Sequence, residues 1–468
     1  MEKISVSKVV TRFAPSPTGT LHIGGVRTAL FNYIYAKQNN GEFLVRIEDT
    51  DRERSTKAYE INILDTLSSI GLSPDKKPIN QSKRNDIYIK AAEQIIASGD
   101  AYWCDCSEEE LEKMRNQQMA DGKKPMYDGR SRHLGLERAS NTVLRLATPE
   151  DGEIVMYDMI RGEIRFNNAE LDDLILLRSD GTPTYHLCNV VDDFEQGVTA
   201  VIRGEDHISN TPRQIHIQNA LGYPALEYAH LPLVLGPDKK RLSKRHAATS
   251  LEEYKDMGYL DSAILNSLAR LGWSGGDKEV FYMDDLMKDF NIKDVQKAGA
   301  IFDITKLDWL NAQHLANLSL EEFKEHIKPF AKKISIDIND HPNADLLIAS
   351  MRTCENTLSD IAKALRPYFM DISGYDEKAI ERFLSNGTKT LEDIYELLET
   401  ISDWNEEQID LLLKEYQSNN KLKVPEVNQP IRIALTGSTK SPSLGLTLSL
   451  FNKKEALKRI ANLISFLS

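Results

Sequence analysis

The chain has 468 residues, 41% of them hydrophobic and 28% charged, with a formal net charge of −13. This length exceeds what one hydrophobic core fills, so we expect about two to four domains in a soluble globular protein. No stretch reaches about 18 apolar residues and no apolar run follows the N-terminus, so we expect no membrane span and no signal peptide. Four cysteines are too few for a disulfide framework and favour a reducing, cytoplasmic location. The negative net charge disfavours nucleic-acid binding over the whole surface. Any such binding is expected on a local basic face of the protein.

The N-terminal residues alternate between strand and helix patterns. Val9–Phe13 and Glu42–Ile47 are typical of buried strands, and the apolar spacing that begins at Val26 predicts a helix between them. This βαβ order indicates a parallel sheet with ligands at the carboxyl ends of its strands. Two further helices are predicted, around Thr56–Ile70 and Asn85–Ala97.

The pattern changes near Ala101. Short strand-like segments separated by turn signals predict an α+β insertion; they are Thr142–Leu146, Glu153–Tyr157 and Leu174–Leu177. The parallel pattern resumes with a strand at Val198–Ile202 and a helix at Thr211–Leu221. Beyond the basic loop near residue 240, nearly everything to Ser468 is predicted to be helical.

Two segments carry the residue types that bind and act on ATP. Pro15–Gly25 is a Gly- and Pro-rich turn with one histidine, His22, ahead of the first helix. Its glycines let backbone N–H groups approach phosphate, beside a helix N-terminus. Lys240–Arg245 is a basic loop in which Lys244 can follow the charge on a leaving pyrophosphate. The alternatives are a helix cap for His22 and a solvated surface loop for Lys244.

Arg12 and Arg203 each lie near the carboxyl end of a predicted parallel strand. They suit an anionic substrate, and the alternative is that each pairs with a structural carboxylate. Thr184–Asp193 is either a plain buried strand with a turn or part of the same pocket.

The two segments resemble the signature sequences of class I aminoacyl-tRNA synthetases. The lead-in Ala14–Gly19 and the final Gly25 are similar to the glutamyl branch, and the resemblance spans essentially the whole chain. It implies ATP-dependent ligation of L-glutamate to tRNA(Glu), with tRNA(Gln) as an additional or alternative acceptor. It also implies Mg²⁺ accompanying ATP, and a monomer.

The resemblance also implies roles for individual residues. His22 and Lys244 are the expected catalytic residues, and Arg12 and Arg203 are expected to hold the side-chain carboxylate of glutamate. The implied ATP-binding set is Thr18, His22, Gly24, Asp206, Ser243 and Lys244. The implied glutamate-binding set is Arg12, Ala14, Ser16, Glu48, Tyr185, Asn189 and Arg203.

The implied fold class is α/β, followed by an all-α C-terminal half. Residues 1–100 and 200–255 are expected to form a split Rossmann-like catalytic domain, with residues 101–199 as an α+β insertion that contacts the tRNA acceptor end. Residues 256–320 are expected to form a helical stem-contact domain, and residues 321–468 an anticodon-binding region of two subdomains. In the family an arginine in the region that matches Met351–Cys354 helps to read the last anticodon base. The alignment of this region leaves two alternatives for the matching position. Arg352 favours strict selection of the tRNA, and Cys354 favours relaxed or altered selection.

Cys104 and Cys106 resemble half of a zinc site found in bacterial relatives. His133 matches the fourth ligand, but Ser131 stands where the family has the third thiolate. A structural zinc site takes four ligands, so we expect no bound metal. A small nucleotidyltransferase and a non-catalytic tRNA-binding paralogue are the competing interpretations; the chain length disfavours the first and the retained site residues disfavour the second.

Overall fold

The computed structural model describes residues 8–51, 53–243, 250–385 and 388–468. The chain forms two compact units. The first comprises Met1–Glu252 and Leu265–Asp303, and the second comprises Glu253–Ile264 and Ile304–Ser468. The four-part division expected above is finer than these units and stays a prediction.

The strands of the described residues all lie in the first unit. They are β1 (Val10–Phe13), β2 (Glu42–Ile47), β3 (Ile79–Asn80), β4 (Ala101–Cys104), β5 (Val143–Leu146), β6 (Glu153–Asp158), β7 (Gly162–Asn167), β8 (Ile175–Leu177), β9 (Ala200–Gly204), β10 (Glu227–Leu231), β11 (Val234–Leu235) and β12 (Ala300–Ile301).

The main sheet has seven strands in the order β3-β2-β1-β9-β10-β6-β7. Every neighbouring pair is parallel except the hairpin β6–β7. The predicted parallel sheet is therefore confirmed. Strands β4, β5 and β8 form a separate antiparallel sheet, so residues 101–199 contribute strands to two sheets.

The helices of the described residues follow in chain order. They are α1 (Ile23–Gln38), α2 (Lys57–Ser69), α3 (Asn85–Ala97), α4 (Glu108–Ala120), α5 (Tyr185–Glu195), α6 (Thr211–Leu221), α7 (Leu251–Met257), α8 (Asp261–Arg270), α9 (Met283–Asp289), α10 (Ile304–Asn317), α11 (Leu320–Lys333), α12 (Ala344–Met351), α13 (Leu358–Leu365), α14 (Glu377–Leu384), α15 (Lys389–Glu399), α16 (Glu406–Asn420), α17 (Val424–Thr436), α18 (Leu444–Leu450) and α19 (Lys453–Leu467).

The strand alternative for Thr184–Asp193 is wrong, because α5 covers this segment. Leu187, Val190 and Val191 are all buried, and their spacing of three and four residues places them on one helix face. The opposite side of the same helix carries the polar residues that matter for the site.

The second unit is helical throughout its described part, which confirms the expected all-α C-terminal half. Its core joins apolar stripes of successive helices, with fully buried side chains such as Phe323, Ile361 and Ile431. Of the helices described, none is both long and apolar enough to cross a membrane.

Candidate active site

A cleft of about 260 Å³ lies where the central parallel strands end in the first unit. Its walls come from β1, the N-terminus of α1, α5, β9 and the segment after β10, which is where a doubly wound sheet binds ligands. The predicted site residues that line it are Arg12, Ala14, His22, Gly24, Glu48, Tyr185, Asn189, Arg203 and Asp206.

Three predicted residues do not line this cleft. Ser16 and Thr18 are exposed, and Ser243 is half-buried. Lys244 lies outside the described residues. The roles assigned to these four residues stay predictions.

His22 lies at the entrance to α1. Its Nδ1 accepts a hydrogen bond of 3.0 Å from the backbone N–H of Gly24, so the imidazole caps the helix. The same ring lines the cleft. The structure therefore gives His22 a capping role and places it at the positive end of a helix facing the cavity, where phosphate is stabilised.

Arg12 is buried and paired with a carboxylate. Its Nε and Nη2 donate to the two oxygens of Asp193 at 3.0 and 3.4 Å. Arg46 donates to the same Asp193 at 2.6 Å. Burial opposes ionisation of Asp193, but the two guanidinium groups hold its pKa below the usual value. Arg12 thus pairs with a structural carboxylate, as the alternative interpretation predicted, and it also lines the cleft.

Arg203 is buried without a carboxylate partner among the described residues. Its Nε donates to Nε2 of His230 at 3.2 Å, and its Nη2 donates to the hydroxyl of Thr211 at 2.8 Å. Its Nη1 is buried and has no hydrogen-bond partner in the part of the chain that the structure describes. Burial lowers the pKa of Arg203, with a further contribution from the charge of Arg12. A buried donor without an acceptor is costly, so Arg203 is arranged to receive an anion.

Glu48 supplies a buried negative charge to the same cleft. Its Oε1 accepts hydrogen bonds from Arg46 at 3.2 Å and from Asn189 at 2.8 Å. Gln214 in turn donates to the amide oxygen of Asn189 at 3.3 Å, which fixes the amide orientation. Burial raises the pKa of Glu48, against the attraction of Arg46 and Arg12. A cation placed beside it would favour the ionised form.

Tyr185 and His207 form one wall of the cleft beside Arg203. The Tyr185 hydroxyl lies 3.2 Å from Nδ1 of His207, and the amide nitrogen of Asn210 lies at the same distance from that atom. Burial, together with the charge of Arg203, lowers the pKa of His207 to about 4. His207 is thus a neutral imidazole at neutral pH.

Asp206 and Arg241 both line the cleft on the side of the basic loop. Their side chains approach to 3.9 Å, and the Arg241 side chain is 71% exposed while that of Asp206 is 43% exposed. Arg241 of the basic loop therefore lines the same cleft as His22.

Residues that the sequence interpretation did not single out support this site. Arg46 bonds to both Asp193 and Glu48, while Asp158 and His230 lie behind Arg203. A histidine inside the apolar segment Tyr228–Leu231 was the available signal for His230. Asp158 ends a hairpin strand, and nothing local indicated that its carboxylate would reach β10.

The predicted partial zinc set is not assembled into a metal cluster. The Cys104 thiol is buried beside Met114 and donates to the Tyr127 hydroxyl at 3.2 Å. His133 is exposed. Within the described ranges, no group of three or more His, Cys, Asp or Glu side chains could hold a metal ion.

The two anticodon candidates lie after α12 in the second unit. Nη1 of Arg352 donates to the carbonyl of Leu318 at 2.5 Å, and Nε of Arg352 is buried with no partner in the described ranges. The Cys354 thiol is half-buried and lies 3.5 Å from the carbonyl of Ser350. These contacts leave both alternatives for anticodon reading open.

Comparison with known families covers almost the entire chain. Residues 8–309 match the family described as tRNA synthetases class I (E and Q), catalytic domain, and residues 322–464 match an anticodon binding domain.

Two curated relatives and one crystal structure give the same result. A glutamate–tRNA ligase of Thermodesulfovibrio yellowstonii is 44% identical over 461 residues, covering 97% of this chain and 99% of the relative. Glutamate–tRNA ligase 1 of Coxiella burnetii is 44% identical over 459 residues, covering 98% of each. The crystal structure of a glutamate tRNA ligase from Elizabethkingia meningosepticum, in complex with its amino acid, has a TM-score of 0.85 at 34% identity and covers 98% of this chain and 100% of that one. The chain therefore belongs to the glutamate–tRNA ligases within the class I tRNA synthetases.

Proposed function

We propose that this chain activates L-glutamate with ATP and transfers the glutamyl group to the 3′ end of tRNA(Glu). The observation that carries the proposal is Nη1 of Arg203, which is buried without a hydrogen-bond partner among the residues described, in a cleft that also contains Arg12 and Glu48. We further propose that the protein acts as a monomer in the cytoplasm.

Glutamate carries a carboxylate and an ammonium group, whose charges are opposite to those of Arg203 and Glu48 in the cleft. Its side-chain carboxylate can accept from Arg203, and its ammonium group can lie against Glu48. Tyr185 and Asn189 line the same cavity and complete the contacts. The amino acid thus neutralises both a buried guanidinium and a buried carboxylate.

The same arrangement rejects glutamine, which has nearly the same shape. Its neutral amide leaves Arg203 uncompensated, at a cost of about 3–5 kcal/mol. This corresponds to about two to four powers of ten in selectivity. Because the discrimination is electrostatic, it needs no separate proofreading domain.

The reaction proceeds in two steps. An oxygen of the glutamate α-carboxylate attacks the α-phosphorus of ATP, the bond to the bridging oxygen breaks, and pyrophosphate leaves. A terminal ribose hydroxyl of the tRNA then attacks the carbonyl carbon, loses its proton, and AMP leaves. The chain contributes positioning and charge stabilisation rather than covalent chemistry.

His22 and Lys244 are proposed to act on the phosphates in the first step. His22 is held by Gly24 at the N-terminus of α1, where the helix dipole favours negative charge. Lys244 is proposed to follow the charge that accumulates on the departing pyrophosphate. Mg²⁺ is proposed to enter with ATP as part of that substrate.

The tRNA that accepts the glutamyl group is a separate part of the proposal. We take tRNA(Glu) as the acceptor, with Arg352 and Cys354 as the candidates that would read the last anticodon base. tRNA(Gln) is the alternative acceptor, and only a charging assay separates the two.

The experiment is ATP–pyrophosphate exchange with and without tRNA, followed by charging of purified tRNA(Glu) and tRNA(Gln). We expect exchange that requires both glutamate and tRNA, and glutamyl transfer to tRNA(Glu). Exchange with no tRNA requirement would favour a small-molecule nucleotidyltransferase. Binding of tRNA without any exchange would indicate a non-catalytic paralogue.

A further inference from the structure

A chain of buried hydrogen bonds runs behind Arg203, on the side away from its partnerless Nη1. Nε2 of His230 accepts from Arg203 at 3.2 Å, and Nδ1 of the same ring lies 2.7 Å from Oδ2 of Asp158. His230 is fully buried, Asp158 is 4% exposed and Arg203 is 6% exposed. A carboxylate, an imidazole and a guanidinium thus form one series shielded from water.

The hydrogen-bond partners of His230 determine its tautomer. A guanidinium N–H can only donate, so Nε2 of His230 is the acceptor and Nδ1 carries the proton. That proton is donated to Asp158. Burial lowers the pKa of His230, and the hydrogen bond that Nδ1 donates to Asp158, which opposes this effect, does not overcome it. The ring is therefore neutral, with one defined orientation.

Asp158 is itself held firmly. Its Oδ1 accepts from the backbone N–H groups of Ile160 and Arg161, each at 2.9 Å, and its Oδ2 also accepts from the backbone N–H of His230 at 2.9 Å. The carboxylate cannot rotate toward Arg203 without losing these bonds.

Arg12 shows what a direct carboxylate contact does. Asp193 occupies both Nε and Nη2 of Arg12. At Arg203 the imidazole takes the place of a carboxylate on Nε, so the negative charge of Asp158 lies one ring further away. The charge of Arg203 is therefore compensated only in part by Asp158, and Nη1 of Arg203 has no hydrogen-bond partner within the described part of the chain.

We propose that His230, oriented by Asp158, is a positioning residue that holds Arg203 with Nη1 directed to the substrate carboxylate and thereby sets selectivity for glutamate. This inference rests on the proposed function, and it goes beyond that function by placing part of the amino-acid specificity in two residues that do not touch the substrate. The competing interpretation is that His230 only fills the core.

The test compares His230→Gln with His230→Leu by tRNA-dependent ATP–pyrophosphate exchange. Oε1 of glutamine can accept from Nε of Arg203, whereas leucine offers no acceptor. We expect His230→Leu to raise the KM for glutamate about tenfold to a hundredfold, as for a lost hydrogen bond to a charged group. We expect the KM for ATP to stay within about twofold, and His230→Gln to recover most of the effect.

His216→Leu is the matched control. His216 is another buried histidine of the first unit, hydrogen-bonded to Asn168 at 3.0 Å, and it does not line the cleft. A pure packing role predicts similar loss of thermal stability in both leucine variants, with the KM for glutamate unchanged. That result for His230→Leu would overturn the inference.

A second measurement is made on the wild-type protein. ¹⁵N NMR of histidine-labelled wild-type protein, with the His230 signal assigned through His230→Gln, reports the tautomer directly. We expect a neutral Nδ1–H ring at neutral pH whose shift changes when glutamate is added. An Nε2–H or doubly protonated ring would overturn the inference. Absence of glutamate-dependent exchange in the wild type would instead overturn the proposed function.

Discussion

Arg12 donates two hydrogen bonds to Asp193, at 3.0 and 3.4 Å, in the cleft that Arg203 also lines. The two arginines are therefore not equivalent. Arg12 forms a buried ion pair within the protein, whereas Arg203 has a buried nitrogen for which the described residues offer no hydrogen-bond acceptor.

Asp193→Asn is expected to destabilise the first unit. Arg12 and Arg46 would both lose their shared buried carboxylate, which typically costs about 3–5 kcal/mol. Urea denaturation measures the free energy of unfolding. Asp172→Asn is the matched control, because its ion pair with Arg213 is more exposed and is expected to contribute less than about 1 kcal/mol. Equal losses in the two variants would contradict the assignment.

The contribution of Asp193 should also depend on pH. Its pKa is depressed in the fold, because Arg12 and Arg46 outweigh the opposing effect of burial. The contribution is therefore present above the unfolded value of about 4 and is lost as the pH falls through the folded value. The stability difference between wild type and Asp193→Asn should shrink below about pH 4. A difference that grows on acidification would contradict this sign.

Glu48 is expected to make glutamate binding weaker in acid. Burial raises its pKa, so its carboxylate takes up a proton at higher pH than an exposed one. The protonated form no longer attracts the substrate ammonium. The KM for glutamate should rise as the pH is lowered from about 8 to about 5, while Glu48→Gln should give a high KM with little pH dependence. If the KM for glutamate does not change with pH in either the wild type or Glu48→Gln, this role of Glu48 is excluded.

Local sequence patterns predict those helices and strands whose apolar residues recur at regular intervals along the chain. The helix Asn85–Ala97 was predicted with its observed bounds, because its apolar spacing is a local property. The contacts of Arg203 with His230 and of His230 with Asp158 span 27 and 72 residues. Such pairings depend on strand order in the sheet, which the sequence alone does not specify.

The same limit explains the two arginines. Their placement near strand ends predicted a shared cleft, and they do share one. The sequence does not predict the pairing of Arg12 with Asp193 on α5, because the two residues are 181 positions apart and the local pattern of Thr184–Asp193 does not distinguish a strand from a helix. The motif residues around His22 were more predictable, since a turn and a helix start are adjacent in the chain.

Lys244→Ala is expected to lower the rate of glutamate activation about a thousandfold, with a smaller change in ATP affinity. The reason is the loss of a cation that stabilises the departing pyrophosphate. Lys240→Ala, four residues earlier in the same basic loop, is the control and should retain near-normal exchange. Near-normal ATP–pyrophosphate exchange by Lys244→Ala would refute the role.

Zinc is expected at well below one atom per chain in protein purified without chelators. Ser131 replaces a thiolate, and Cys104 is engaged with the Tyr127 hydroxyl at 3.2 Å. Elemental analysis by mass spectrometry measures the content directly. One zinc atom per chain that survives gel filtration would contradict this expectation.

The most direct measurement compares glutamate and glutamine as substrates of the wild type and of Arg203→Gln in tRNA-dependent ATP–pyrophosphate exchange. Arg213→Gln, a partly exposed arginine outside the cleft, serves as the control. The account predicts that the wild type prefers glutamate by about two to four powers of ten and that Arg203→Gln loses most of this preference through a raised KM for glutamate. An unchanged preference in Arg203→Gln, with normal exchange, would contradict the central claim that Arg203 recognises the substrate carboxylate.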